Sequence, residues 1–121
     1  MTKTVLAVDD TPDNLSFLVD TLKDTYQLQV APSGEKALSY LEHSELPDLI
    51  LLDIFMPGLS GFDVLERVKN NEKTKNIPVI LLSASFEKED EQKGLLMGAC
   101  GYITKPLSIP LLLEAIKKAL G

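Results

Sequence analysis

The sequence predicts an α/β chain in which five strand-helix units build one open parallel sheet with helices on both faces. Three short, unbroken apolar runs, Val5-Leu6-Ala7-Val8, Leu49-Ile50-Leu51-Leu52 and Val79-Ile80-Leu81-Leu82, have the character of strands buried on both sides. Each run stops at a polar residue: Asp9, Asp53 and Ser83. Segments with helical spacing separate them, and such alternation specifies a parallel sheet because the crossover connections lay their helices on its faces.

Taken in order, the first run leads into Thr11, a candidate N-cap, with Pro12 at the first helical position, where its missing N–H costs nothing. Leu15, Leu18, Val19 and Leu22 then recur at i, i+3, i+4 and i+7 and define the buried face of a first helix. Leu28 to Ala31 makes a weaker second strand, and Ser33 is placed to cap a second helix carrying Ala37, Leu38 and Leu41. After the third strand, the stretch from Gly58 to Gly61 reads as a turn, followed by a third helix with Phe62, Leu65 and Val68. Lys69 to Asn76 is polar enough to be an exposed loop before the fourth strand.

Glu87 to Met97 forms a fourth helix, whose Glu87, Glu89, Asp90 and Glu91 complement the positive end of its dipole. Gly101 to Thr104 is a fifth strand, and Leu111, Leu112, Ala115, Ile116 and Ala119 mark a fifth helix. Five such units are expected to close in the flavodoxin-like strand order 2-1-3-4-5.

Length and composition bound the rest. At 121 residues with 45% hydrophobic composition, the chain fits a single domain over residues 1–121. Its 18 acidic against 12 basic residues give a formal net charge of −6, the wrong sign for direct nucleic-acid binding or for an anionic membrane surface. One cysteine, Cys100, excludes an internal disulfide, and in its Gly98-Ala99-Cys100-Gly101 turn it reads as structural. Met1 is followed by Thr2-Lys3-Thr4 and a short strand rather than a secretory signal, and no apolar run approaches the roughly 20 residues that cross a bilayer. A cytoplasmic location without membrane insertion is the expectation.

In a doubly wound sheet the binding crevice lies beyond the carboxyl ends of the strands, where strand order reverses. Asp9, Asp10, Asp53, Ser83 and Thr104-Lys105 all fall at such ends and are expected to converge. Three carboxylates drawn together raise one another's pKa unless cations compensate, so a hard divalent ion and the ammonium of Lys105 are implied. Mg²⁺ suits an oxygen-only donor set and a phosphate co-ligand, whereas zinc is a poor match because the one histidine, His43, lies in the second helix. Lys105 supplies a compact charge and Ser83 a hydroxyl donor for phosphate oxygens. Together these groups describe phosphoryl transfer to an aspartate.

At this point the chain resembles the receiver domains of bacterial two-component response regulators, over essentially its whole length. The matching stretches are Ala7-Val8-Asp9-Asp10-Thr11-Pro12, Leu51-Leu52-Asp53-Ile54-Phe55-Met56-Pro57-Gly58, Leu82-Ser83-Ala84 and Gly101-Tyr102-Ile103-Thr104-Lys105-Pro106. Each is weak alone; four in order, each at a strand end, are specific. The resemblance implies that Asp53 is the phosphoacceptor, that Asp10 binds Mg²⁺ directly and Asp9 largely through water, and that the Phe55 carbonyl is a further ligand. It implies that Ser83 and Tyr102 form the switch, remodelling the face of the fourth helix, fifth strand and fifth helix, and that Lys105-Pro106 is a cis peptide.

The partners so implied are a sensor histidine kinase or histidine phosphotransfer protein as donor, and an output domain or target protein on that face. The residues leave a homodimer open. The role is that of a signalling receiver rather than an enzyme acting on other substrates: it catalyses its own phosphorylation and slow dephosphorylation. Asp90 to Pro106 looks more like receivers attached to cyclic-dinucleotide phosphodiesterase or hybrid-kinase modules than like small motility regulators, and the chain fits either a stand-alone regulator or part of a longer one.

Phe55 and Ser85, two positions beyond Asp53 and Ser83, border the path of attacking water in this family, and the bulk of Phe55 is suited to screening an acyl phosphate. Simpler readings exist for each residue alone: Asp9-Asp10 as a helix cap, Ser83 as a strand-end hydroxyl, Lys105 as a solvated lysine, Tyr102 as a core aromatic. Rival functions fit less well. A haloacid-dehalogenase-like phosphatase carries Asp-x-Asp on its first strand, a flavodoxin-like carrier would have its flavin phosphate repelled by Asp9-Asp10, and a module without phosphorylation chemistry would not keep the full set.

Overall fold

The computed structural model describes residues 2–121. Its elements alternate throughout: β1 (Thr4–Val8), α1 (Pro12–Leu22), β2 (Gln27–Ala31), α2 (Gly34–His43), β3 (Leu49–Asp53), α3 (Gly61–Lys69), β4 (Val79–Ser83), α4 (Lys88–Leu96), β5 (Gly101–Thr104) and α5 (Ile109–Leu120). All neighbouring strands pair in parallel, in the flavodoxin-like order β2-β1-β3-β4-β5.

The unbroken apolar runs follow from the period-two alternation of side chains across a sheet covered on both faces. Val5, Ala7, Leu49, Leu51, Ile80 and Leu82 pack with Leu18 and Leu22 of α1 and with Leu112 and Ile116 of α5. Their chain neighbours Leu6, Val8, Ile50, Leu52, Val79 and Leu81 point the other way, against Ala37 and Leu41 of α2 and Val64, Leu65 and Val68 of α3. The central strands β3 and β4 are buried at every position, whereas the edge strands β2 and β5 are not.

Helix starts are set by local polar chemistry. Ser33 Oγ accepts from the Lys36 N–H as expected, and Ser60 forms a reciprocal capping box with Asp63 ahead of α3. Ser108 caps α5 by accepting from the Leu111 N–H. Thr11 occupies the N-cap position of α1 but makes no side-chain cap bond; its own N–H donates instead to Asp9 Oδ1 at 2.9 Å. The polar stretch after α3 is more ordered than a free loop, because Thr74 is buried with its hydroxyl on the Val68 carbonyl and Lys69 Nζ donates to the carbonyls of Lys75 and Ile77. Lys105-Pro106 is cis, Cys100 is exposed and free, and no helix among the described residues is long and apolar enough to cross a membrane.

One backbone contact fixes the loop after Asp53. The Gly61 N–H donates to the Ile54 carbonyl at 2.7 Å, and a Cβ on Gly61 would collide with the Asp53 carbonyl oxygen and lie 2.7 Å from Ile54 Cα. Backbone atoms cannot yield as a side-chain tip can, so Gly61→Ala is expected to lower unfolding free energy by about 1–3 kcal/mol in urea titrations. Gly101→Ala, whose Cβ would meet Ile80 atoms at ordinary contact distances of 3.6 and 3.7 Å, is the control and should stay within ~0.5 kcal/mol of the parent.

Candidate functional site

Three adjacent strands end in the polar residues that the sequence singles out. Asp9 and Asp10 follow β1, Asp53 closes β3 and Ser83 closes β4, while Lys105 follows β5 across the same end of the sheet. Because the strands are parallel and in close register, with Val8 opposite Leu52, Asp53 opposite Leu82 and Ser83 opposite Thr104, residues nearly a hundred positions apart come together. Asp9, Asp10 and Asp53 each offer a carboxylate oxygen within 4.8 Å of the others. Asp9 and Asp53 are buried, at 1% and 5% exposure, while Asp10 is open to solvent.

Asp9 is heavily committed to protein donors. Its Oδ1 accepts from the Thr11 N–H at 2.9 Å, and its Oδ2 accepts from Asn14 Nδ2 at 3.2 Å and from Lys105 Nζ at 3.0 Å. Lys105 Nζ also lies 3.4 Å from Asp53 Oδ1, so one ammonium bridges the two buried carboxylates. Burial alone would push the Lys105 ammonium toward its neutral form, but the hydrogen bond to Asp9 and the charge of Asp53 overcome this and raise its pKa. Asp53 is driven the other way. Burial first, and the Asp9 charge next, raise its pKa to about 6 against the partial relief that Lys105 gives.

The oxygen-only donor set, with no histidine or cysteine in the cluster, fits a hard divalent cation and leaves a soft or nitrogen-seeking metal poorly served. Asp10, the exposed member, is the carboxylate freest to coordinate such an ion directly. The Phe55 side chain, two residues beyond Asp53, is 55% exposed.

Ser83 is fully buried, and its Oγ accepts from the Ser85 N–H at 3.0 Å. Tyr102 is partly buried, with its hydroxyl donating to the Ser85 carbonyl at 3.1 Å. His43 is the last residue of α2, exposed, with its Nδ1 2.9 Å from the Ser39 carbonyl, and is not part of the carboxylate cluster. Sequence reading missed Asn14 and the partners of Ser85, and it placed Gly61 at the end of a turn without the close backbone approach it makes to Asp53 and Ile54. Asn14 had a legible signal, since a polar residue in the first turn of α1 faces the end of β1.

The Asp53 shift sets a pH dependence. A carboxyl group with its folded pKa raised to about 6 favours folding most below the unfolded value, near 4, and this contribution is lost as pH rises through 6. In EDTA, Asp53→Asn is therefore expected to be more stable than the parent by about 1–3 kcal/mol at pH 7, an advantage that shrinks toward zero at pH 4. Urea titrations of both chains across that range provide the check, and a gap that does not change with pH would contradict the assignment.

Comparison with known proteins identifies the family. Residues 5–117 match the family model described as response regulator receiver domain. A probable cyclic di-GMP phosphodiesterase of Vibrio cholerae is 47% identical over 109 residues, 90% of this chain, but the chain spans only 24% of that relative. The polar-differentiation response regulator DivK of Brucella ovis is 39% identical over 123 residues, covering 100% of this chain and 98% of DivK. Among solved structures, the Vibrio cholerae chemotaxis protein CheY4 superposes with a TM-score of 0.91 at 29% identity, over 98% of this chain and 99% of that one. A buried carboxylate pair bridged by one lysine, on a sheet of this order and with these relatives, places the chain in the response regulator receiver domain family of two-component signalling.

Proposed function

We propose that this receiver takes a phosphoryl group on Asp53 from a phosphohistidine donor in a Mg²⁺-dependent transfer, and that the modified site alters the face formed by α4, β5 and α5. The observation that carries the reading is the grouping of three carboxylates against the single Lys105 ammonium, which leaves negative charge that a divalent cation would balance.

Asp10 and Asp53, with the Phe55 carbonyl, would hold the cation directly, and Asp9 largely through water. The full engagement of Asp9 by Thr11, Asn14 and Lys105 supports that division. When bound, Mg²⁺ supplies positive charge close to the phosphoryl oxygens. The transfer breaks the P–N bond of the donor imidazole and forms a P–O bond to an Asp53 carboxylate oxygen. Lys105 holds Asp53 ionised enough to attack and then pairs with a phosphoryl oxygen, while the Ser83 hydroxyl donates to another. Positioning and electrostatics account for the chemistry, and water entering the same site slowly hydrolyses the acyl phosphate.

A sensor kinase or phosphotransfer protein is the donor on this reading, with an output domain or target protein on the α4-β5-α5 face. Ser83 and Tyr102 both reach Ser85, which supports their pairing as a switch. The phosphodiesterase activity in the name of the Vibrio relative would belong to a separate output region, since only a quarter of that protein matches.

Intact-mass measurement after incubation with acetyl phosphate and Mg²⁺ is expected to show one labile phosphoryl adduct, absent in EDTA and absent from Asp53→Asn. Lys105→Ala should slow its formation by about 100-fold, the usual cost of one electrostatic stabiliser. Equal labelling of the parent and Asp53→Asn would refute the assignment. Phe55→Asn is expected to shorten adduct lifetime several-fold by opening the site to water, and an unchanged decay rate would remove Phe55 from that role.

A further inference from the structure

Ser85, in the loop leaving β4, has all of its hydrogen-bonding groups engaged, and they reach three different parts of the molecule. Its N–H donates to Ser83 Oγ at 3.0 Å, and its carbonyl accepts from the Tyr102 hydroxyl at 3.1 Å. Its own hydroxyl donates to Asp90 Oδ2 at 2.6 Å and accepts from the Glu87 N–H at 3.1 Å. A short hydroxyl-carboxylate bond of this kind is among the stronger neutral-to-charged hydrogen bonds. One residue thus joins the buried hydroxyl beside the phosphoacceptor strand, the aromatic of β5 and the first turn of α4.

The placement is consistent with strand alternation. Ser83 follows Val79 and Leu81 on the sheet face that also holds Tyr102, opposite the face served by α1 and α5. The helix it reaches is lightly held. Gly94 is the buried residue of α4, packed where a Cβ would strike the Leu81 side chain, and Lys93 Nζ sits 4.4 Å from the centroid of the Phe62 ring. Glu87, at the N-cap, makes no side-chain cap bond, so Ser85 supplies the polar anchoring of the helix start.

We propose that Ser85 is a positioning residue that couples the phosphoryl site to α4 through its hydrogen bond with Asp90. In the resting chain Ser83 Oγ fixes the Ser85 backbone, and the Ser85–Asp90 bond holds the start of α4. A phosphoryl group on Asp53 draws Ser83 Oγ away, the Ser85 backbone loses its anchor, and the α4 tether loosens with it. The inference rests on phosphorylation of Asp53 and adds which residues carry the change to α4.

Hydrogen-deuterium exchange of residues 84–92, read by mass spectrometry with and without Mg²⁺ and beryllofluoride, tests it, with acetyl phosphate labelling measured in parallel. Losing a hydrogen bond to a charged group should speed exchange in resting Ser85→Ala and Asp90→Ala roughly tenfold. The parent should reach a similar rate only with beryllofluoride. Ser85→Thr and Asp90→Asn, which keep the hydroxyl and an acceptor, should restore slow resting exchange, and Asp90→Ala should still form the Asp53 adduct. Slow resting exchange in both alanine variants would overturn the tether. An unresponsive segment in a parent chain that still takes the adduct would overturn the coupling alone. A parent chain that takes no adduct would overturn the Asp53 reading and the release step together, while the resting comparison still decides the tether.

Discussion

Two carboxylates buried at the end of a parallel sheet, with a third at its rim, share one ammonium group, and that imbalance governs much else in the molecule. Like charges about 5 Å apart at an effective dielectric near 20 repel by about 3 kcal/mol per pair, more than a typical hydrogen bond returns. Lys105 meets part of this cost by lying 3.0 Å from Asp9 and 3.4 Å from Asp53. Asn14 and the Thr11 N–H satisfy the remaining acceptors of Asp9. Asp53 keeps the unrelieved share: burial first, and the Asp9 charge next, raise its pKa to about 6. The site is strained toward anything that brings positive charge.

The sheet tolerates this because the rest of it is apolar on both faces. Alternation sends one set of side chains from β1, β3 and β4 to α1 and α5 and the other to α2 and α3, and both layers are closed by fully buried aliphatic groups. The polar residues are thereby confined to the carboxyl ends, where parallel registers of four strands bring them to one place. The same alternation separates two side chains of the site. Asp53 continues the α1/α5 side, while Ser83 continues the side that carries Tyr102 and leads to α4. The two side chains lie one residue step apart on adjacent strands and face opposite sides of the sheet.

How much of this is legible in the sequence depends on whether a feature is local. The three central strands announce themselves as unbroken apolar runs because both faces are covered. β2 is fainter because it is an edge strand, with Gln27, Gln29 and Val30 exposed. The site aspartates, Ser83 and Lys105 are readable because each lies at or just beyond the carboxyl end of a strand, and the topology rule then brings them together. Thr11 is readable as an N-cap by position, but it makes no side-chain cap bond, and its N–H donates to Asp9 Oδ1, a contact set by the turn after β1. The backbone contact at Gly61 and the Ser85–Asp90 bond are invisible beforehand. One depends on how closely the backbone of β3 passes the start of α3, and the other on a loop conformation that only the packed sheet fixes.

The energies involved suit a reversible signal. Neutral hydrogen bonds such as Tyr102 to the Ser85 carbonyl each contribute about 1 kcal/mol net, and one to a carboxylate, such as Ser85 to Asp90, about 1.5–3 kcal/mol. The resting arrangement around Ser85 is therefore worth a few kcal/mol, of the same order as the roughly 5.5 kcal/mol that moves a two-state equilibrium from 1:99 to 99:1. A phosphoryl group on Asp53 would meet Lys105 and Ser83 in charge-assisted bonds of comparable strength. Gly94 lets α4 lie close against Leu81, where any larger side chain would force the two apart, and it brings no apolar side chain of its own to that contact. With Gly94 as its buried residue and a polar bond at its start, α4 is held by interactions of the few-kcal/mol size that a phosphoryl group on Asp53 would have to outweigh.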